Sequence, residues 1–160
     1  MSTKDASLPQ APALIGAPPR VLVVRAPYYT QVVDGLREGA LAILAAAGAT
    51  SRVIDVAGAL ELAPAIQFAV RGRQRFDAYV ALGCVVRGET DHYEHVCREA
   101  MAALTRVALD QSLCLGNGLL TVATEAQARA RCGADGHNKG AEAAVAALRQ
   151  LAIARLLGAA

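Results

Sequence analysis

From Arg20 to Leu157, short apolar runs alternate with amphipathic stretches of helical period, each pair separated by a Gly, Pro or polar turn. That rhythm leaves few folds open. Buried strands joined through helices pair in parallel, with helices covering both faces of the sheet. Val21–Val24 reads as a short buried strand closed by Ala26-Pro27. A helix is expected from Thr30 to Ala47, with Val32, Val33, Leu36, Ala40, Ile43 and Leu44 on one face and Gly48 as its stop. Arg52–Val56 reads as a second strand ended by Gly58, and Leu62–Gln74 as a helix with Pro64 in its first turn, where a missing N–H costs little.

Asp77–Val86 is the most apolar run and is expected to be central. The helix after it, Asp91–Asp110, carries Tyr93, Val96, Cys97, Ala100, Leu104, Val107 and Ala108 as its core stripe. Ser112–Thr121 reads as a fourth strand interrupted by Gly116-Asn117-Gly118. Thr124-Glu-Ala-Gln127 matches a capping box and opens a short helix. Gly133–Gly136 reads as a hinge before a final Ala-rich helix, Asn138–Leu157. The expected fold is α/β, a three-layer α/β/α sandwich on a four-stranded parallel sheet with flavodoxin-like winding. Residues 1–19 are expected to be a disordered tail, and residues 20–160 a single domain. In such sheets ligands bind outside the carboxyl ends of the strands. Four clusters of chemical side chains are expected there: Pro27-Tyr28-Tyr29, Gly58–Glu61, Arg87–His92 and Asn117-Gly118.

The densest of these lies in Ala81–Cys97. A buried strand ends in Arg87-Gly88-Glu89-Thr90, and His92 follows as a helix begins. N–H groups at such a helix start favour anions. The same dipole disfavours a charged imidazole in the first turn. An anion cradle beside a neutral acid/base group suits chemistry on a phosphorylated substrate.

Composition narrows the classes. Hydrophobic residues make up 54% and charged residues 19%, against usual shares of roughly 45–50% and about 25%. The excess is mostly alanine, which suits close-packed helices and subunit contacts, so an oligomer is expected. A formal net charge of +2 without a basic run argues against nucleic acid. Cys84, Cys97, Cys114 and Cys132 form no Cys-x-x-Cys, which argues against zinc and for buried thiols in a reducing cytoplasm. No apolar stretch reaches a membrane span, and Met1–Pro19 lacks the apolar centre of a secretory leader.

Five ordered motifs together resemble the lumazine synthase (6,7-dimethyl-8-ribityllumazine synthase) family. They are Gly58–Glu61, Ala81–His92, Asn117–Thr121, Glu125–Ala128 with Arg131, and Asn138–Gly140 with Glu142. The likeness runs from about Arg20 to Leu157. It implies condensation of 5-amino-6-(D-ribitylamino)uracil with 3,4-dihydroxy-2-butanone 4-phosphate to 6,7-dimethyl-8-ribityllumazine, with no metal and no cofactor.

By that resemblance His92 is the catalytic acid/base, while His95 and His137 are not assigned to the chemistry. Tyr28 stacks on the uracil ring. Backbone groups of Ala59 and Leu60 meet the heterocycle, and Glu61 meets the ribityl hydroxyls. Cys84, Val85 and Val86 line the uracil pocket through their backbone. Glu89 and Thr90 form a phosphate-contacting turn, in which backbone N–H groups do most of the work. Arg131 grips phosphate through its guanidinium fork. Asn117, Lys139 and Glu142 are implied to act from the neighbouring subunit. Asn117 would contact the uracil, Lys139 the ribityl or phosphate groups, and Glu142 would support His92. Pro27 stands where the family commonly has arginine, Tyr29 where a small polar residue is frequent, and Pro64 is shifted by one position.

The resemblance also implies a homo-oligomer built from pentamers, as pentamer, decamer or sixty-subunit shell. The segment from Gly133 to Gly140 has no insertion and leans toward the shell. Riboflavin synthase is a candidate partner; nucleic acid and membrane are not. A non-catalytic lumazine- or flavin-binding or cage-forming protein is the alternative, and retention of His92, Thr90, Arg131 and Lys139 argues against it. A flavodoxin-like phosphate binder would need a Gly-rich loop after the first strand, which Pro27-Tyr28-Tyr29-Thr30 lacks.

Overall fold

The computed structural model describes residues 9–134 and 137–159. Four strands run parallel: β1 (Arg20–Ala26), β2 (Thr50–Asp55), β3 (Ala78–Val86) and β4 (Leu115–Val122), in the order β2-β1-β3-β4. Among the described residues, five α-helices connect and cover them: α1 (Thr30–Ala46), α2 (Leu62–Arg71), α3 (His92–Asp110), α4 (Glu125–Arg129) and α5 (Lys139–Leu156). The three-layer expectation holds.

Strand parity divides the core. Val21 and Val23 with Val80 and Leu82 face Leu36, Leu44, Leu148 and Leu151 on one side of the sheet. Leu22 and Val24 with Tyr79 and Ala81 face Leu62, Ile66, Ala100 and Leu104 on the other. Burial on both faces explains why β1 and β3 read as continuous apolar runs. Fully burying each such side chain is worth roughly 1.5–3 kcal/mol.

Local chemistry ends the helices where expected. Gly48, at φ +69°, closes α1, with its N–H donating to Ala45 and that of Ala49 to Leu44. Thr124 accepts from Gln127 N and caps α4, while the Gln127 amide oxygen accepts from Ala123 N at 2.9 Å. α2 ends at Arg71, before Gly72, rather than at Gln74.

The fourth strand differs from expectation. Gly116-Asn117-Gly118 does not interrupt it; β4 pairs with β3 from Leu115 through Val122. The glycines answer a different constraint. A Cβ at Gly116 would collide with the Ala143 carbonyl, and one at Gly118 would sit 2.7 Å from Leu82 Cδ2. Helix α5 lies so close to the sheet edge that only hydrogen fits beneath it. Gly140 repeats the arrangement on the other side, where a Cβ would strike the Leu36 carbonyl of α1.

Of the segment expected to be a tail, residues 1–8 lie outside the described residues. Within the remainder, Leu14 packs against the α1/α5 layer, and the Ile15 carbonyl accepts from Arg155 Nη1 at 2.8 Å. Asp135 and Gly136 of the expected hinge also lie outside the described residues.

Replacing Gly116 with alanine is expected to cost about 1–3 kcal/mol, because backbone rather than a mobile side chain blocks the added methyl. Urea unfolding should show this as a lower midpoint. Gly88→Ala, with nothing within 4 Å of the added carbon, should leave the midpoint nearly unchanged.

Candidate functional site

The carboxyl ends of β1, β2 and β3 open into one cleft of about 440 Å³. Tyr28 and Tyr29 line it after β1, and Ala57–Glu61 after β2. The β3 end contributes Cys84, Val85 and Val86, followed by Gly88, Thr90 and His92. Tyr93 and Val96, on the first turns of α3, complete the lining with Ala26.

Each wall has a local cause. Pro27 holds a fixed φ, and its carbonyl accepts from Thr30 Oγ1 at 3.1 Å, which shapes the turn into α1. Tyr28 is 79% exposed at the tip, with its ring centroid 5.5 Å from that of Tyr29 in an edge-to-face pair. A flat face left open in this way suits stacking by a heterocycle. After β2, Gly58 is extended and Ala59–Glu61 forms a 3-10 turn closed by Glu61 N donating to Gly58 O at 3.2 Å. A Cβ at Gly58 would come 3.1 Å from Glu61 Oε2, so the carboxylate folds back over the turn.

At the β3 end, parity decides which part of each residue faces the cleft. Cys84 packs into the α1/α5 layer, and Val85 into the α2/α3 layer. Burial pushes the Cys84 thiol up to about 11, which disfavours its thiolate near neutrality. The thiols of Cys97 and Cys132 are only half-buried, unlike Cys84 and Cys114, which corrects the expectation of four buried thiols.

His92 is the first residue of α3 and is exposed toward the cleft. Its N-cap, Asp91, makes no side-chain capping bond. Helix-start N–H groups without such a cap are suited to an anion. Tyr93 and Val96 were expected in the core stripe. Half-buried, they line the cleft instead. Burial pushes the Tyr93 phenol up. The Arg87 guanidinium lies 5.0 Å from the Tyr93 ring centroid and 3.7 Å from Glu94, fixing the turn between β3 and α3.

Five expected site residues lie outside this cleft. Glu89 points to solvent within the turn. Asn117 lies in mid-strand opposite Ala81 rather than at a carboxyl end. Its amide oxygen accepts from Leu119 N at 2.9 Å, and its Nδ2 lies 3.1 Å from Met101 Sδ on α3. The expected convergence of four clusters is thus a convergence of three. Arg131, Lys139 and Glu142 form a second group at the α4–α5 junction.

Buried Asn138 organises that group. Its amide nitrogen donates to the Gly35 and Cys132 carbonyls at 2.8 and 2.9 Å, while its oxygen accepts from Gly140 N and Ala141 N. Lys139 N donates to Arg131 O at 2.9 Å, holding those two residues together. Lys139 Nζ pairs with Glu142 Oε2 at 2.5 Å, and Arg131 Nη1 donates to the Gln127 carbonyl at 2.8 Å. Among the described residues no cluster of three His, Cys, Asp or Glu side chains is arranged for a metal ion, and no helix is long and apolar enough to cross a membrane.

Residues 18–155 match the model of a family described as 6,7-dimethyl-8-ribityllumazine synthase. The protein of that name from Methylobacterium radiotolerans is 49% identical over 152 residues, covering 95% of this chain and 91% of the relative. The one from Nitrobacter winogradskyi is 48% identical over 142 residues, covering 86% and 87%. The one from Bartonella tribocorum is 44% identical over 140 residues, covering 88% and 93%.

Cys84 should resist a thiol reagent such as DTNB at pH 8 in the native protein, while Cys97 reacts first. Unfolding in guanidinium should release all four thiols. Rapid native labelling of Cys84, located by mass spectrometry, would contradict its burial.

Proposed function

The chain belongs to the 6,7-dimethyl-8-ribityllumazine synthase family, and on that premise we propose a division of its site between two groups of residues. The enzyme is a transferase of riboflavin biosynthesis. It condenses 5-amino-6-(D-ribitylamino)uracil with 3,4-dihydroxy-2-butanone 4-phosphate, releasing phosphate and water. The observation that carries the division is the cleft itself. It gathers Tyr28, the Ala59–Glu61 turn, the β3 end, Thr90 and His92 within about 440 Å³.

In this reading the uracil ring stacks on Tyr28, and backbone groups of Ala59, Leu60 and Cys84–Val86 meet its polar edge. Glu61 receives hydroxyls of the ribityl chain. Thr90, with the N–H groups of the turn from Glu89 and of the α3 start, holds the phosphate. The amine of the uracil attacks the ketone, a Schiff base forms, phosphate departs and the ring closes with loss of water. His92 moves the protons these steps require.

Arg131 and Lys139 supply the positive charge that the cleft lacks among its own lining residues. Held rigidly around Asn138, they are suited to reach a cleft of a neighbouring copy, with Glu142 supporting Lys139 there. Asn117, on the outer edge strand, is proposed for the same kind of contact. The assembly proposed is a homo-oligomer built from pentamers, as pentamer, decamer or shell. Riboflavin synthase is proposed as a partner that consumes the product. Among the described residues the cysteines form no disulfide, which fits a reducing cytoplasm.

Purified protein mixed with both substrates should form the lumazine chromophore; a rate no higher than the uncatalysed background would sink the catalytic reading. Arg131→Ala should raise KM for the phosphorylated substrate about tenfold or more, since a hydrogen bond to a charged group is worth roughly 1.5–3 kcal/mol. KM for the uracil should change far less, and equal effects on both would count against a phosphate role.

A further inference from the structure

We propose that Arg25 is a positioning residue for the uracil-side wall of the cleft, because its guanidinium ties together the two turns that build that wall. The inference rests on reading the cleft as the uracil site. Arg25 itself does not line it.

Its side chain is 14% exposed and points into the α1 face of the sheet. Arg25 Nε donates to Asp55 Oδ1 at 2.5 Å and Nη2 donates to Asp55 Oδ2 at 3.0 Å, a two-pronged grip. Arg25 Nη1 donates to Asp34 Oδ1 at 2.5 Å. Arg37 Nη1 lies 3.4 Å from the same Asp34 oxygen and adds a second positive charge to the group.

The positions of these partners give the cluster its meaning. Arg25 and Asp55 are the last register pair between β1 and β2, just below the Val56 N to Arg25 O bond at 2.9 Å. Beyond that rung the chains diverge, one into the turn that carries Tyr28, the other into the turn that carries Ala59, Leu60 and Glu61. Asp34 stands on α1, past the far end of the Tyr28 turn. One guanidinium therefore grips the strand before the Tyr28 turn, the helix after it, and the strand before the neighbouring turn.

Tyr28 needs such support. It is largely exposed, and its ring contact is with Tyr29, a residue of the same turn. Packing cannot aim it, so its place is set by the backbone on either side. The Arg25 side chain is largely buried, and its planar fork meets a carboxylate with fixed geometry in a way that a lysine ammonium does not. The hydrogen bonds from Arg25 also hold the Asp55 carboxyl below its usual range, so the grip persists in mild acid.

The test is steady-state kinetics on the full chain, varying each substrate in turn. Product formation by the unsubstituted protein checks the functional reading on its own. Arg25→Met should raise KM for the uracil substrate about tenfold, below the roughly hundredfold that a 1 Å misplacement can cost. KM for the butanone phosphate should stay within about twofold. Asp34→Asn, which removes one arm only, should shift the uracil KM in the same direction by less, and it carries the test if Arg25→Met does not fold. Arg25→Lys should recover part of the loss. An unchanged uracil KM in either folded variant, or equal rises in both KM values, would overturn the proposal.

Discussion

Helix α5 lies nearer to its neighbours than side chains allow, and much of the molecule follows from that closeness. Gly116 admits the Ala143 carbonyl on the sheet side, and Gly140 admits the Leu36 carbonyl on the α1 side. Backbone packed on backbone leaves no room for rotamer adjustment, so the α1–α5 layer behaves as one rigid slab. The Ala-rich sequence of α5 is the counterpart of this packing. Small residues at 141, 143, 144 and 147 are buried without pushing the helix outward. The slab presents its other members at fixed places: α4 with its Thr124 cap, and the junction carrying Arg131 and Lys139.

The site is split by the same architecture. Parallel strands bring their carboxyl ends to one edge, which gathers Tyr28, the Ala59–Glu61 turn, the β3 end and His92 into a cleft. The cationic residues Arg131 and Lys139 stand outside its lining, at the α4–α5 junction. Within one chain the cleft is apolar and aromatic, with acid/base and hydroxyl groups, while guanidinium and ammonium lie elsewhere. A chain of this composition, rich in alanine and poor in charge, has surface to spare for contact with copies of itself.

Much of this was legible in the residues because the signals are local. Strand and helix alternation, the Gly48 stop, the Thr124 cap, and the order of Glu61, Thr90 and His92 each depend on neighbours a few positions apart. The misreadings share a cause. Gly116 and Gly118 looked like a break because a glycine in a strand signals either a kink or a close approach, and only the partner helix tells which. Asn117 was consequently placed at a strand end rather than in mid-strand. Tyr93 and Val96 kept the core period of α3, yet period cannot show which members of a stripe open onto a cleft. The Arg25, Asp34 and Asp55 cluster had no signal at all, since its members meet through sheet register and helix docking rather than spacing.

Asn138 has one more consequence. Its amide closes a ring of chain from Cys132 back to Gly140, and the bond between Lys139 and Arg131 closes a second ring outside it. These closures fix the backbone of Arg131 and Lys139 from both sides. Lengthening a loop costs little in closure entropy once its ends are pinned. Residues could therefore be added or lost between 134 and 137 while Arg131 and Lys139 keep their places.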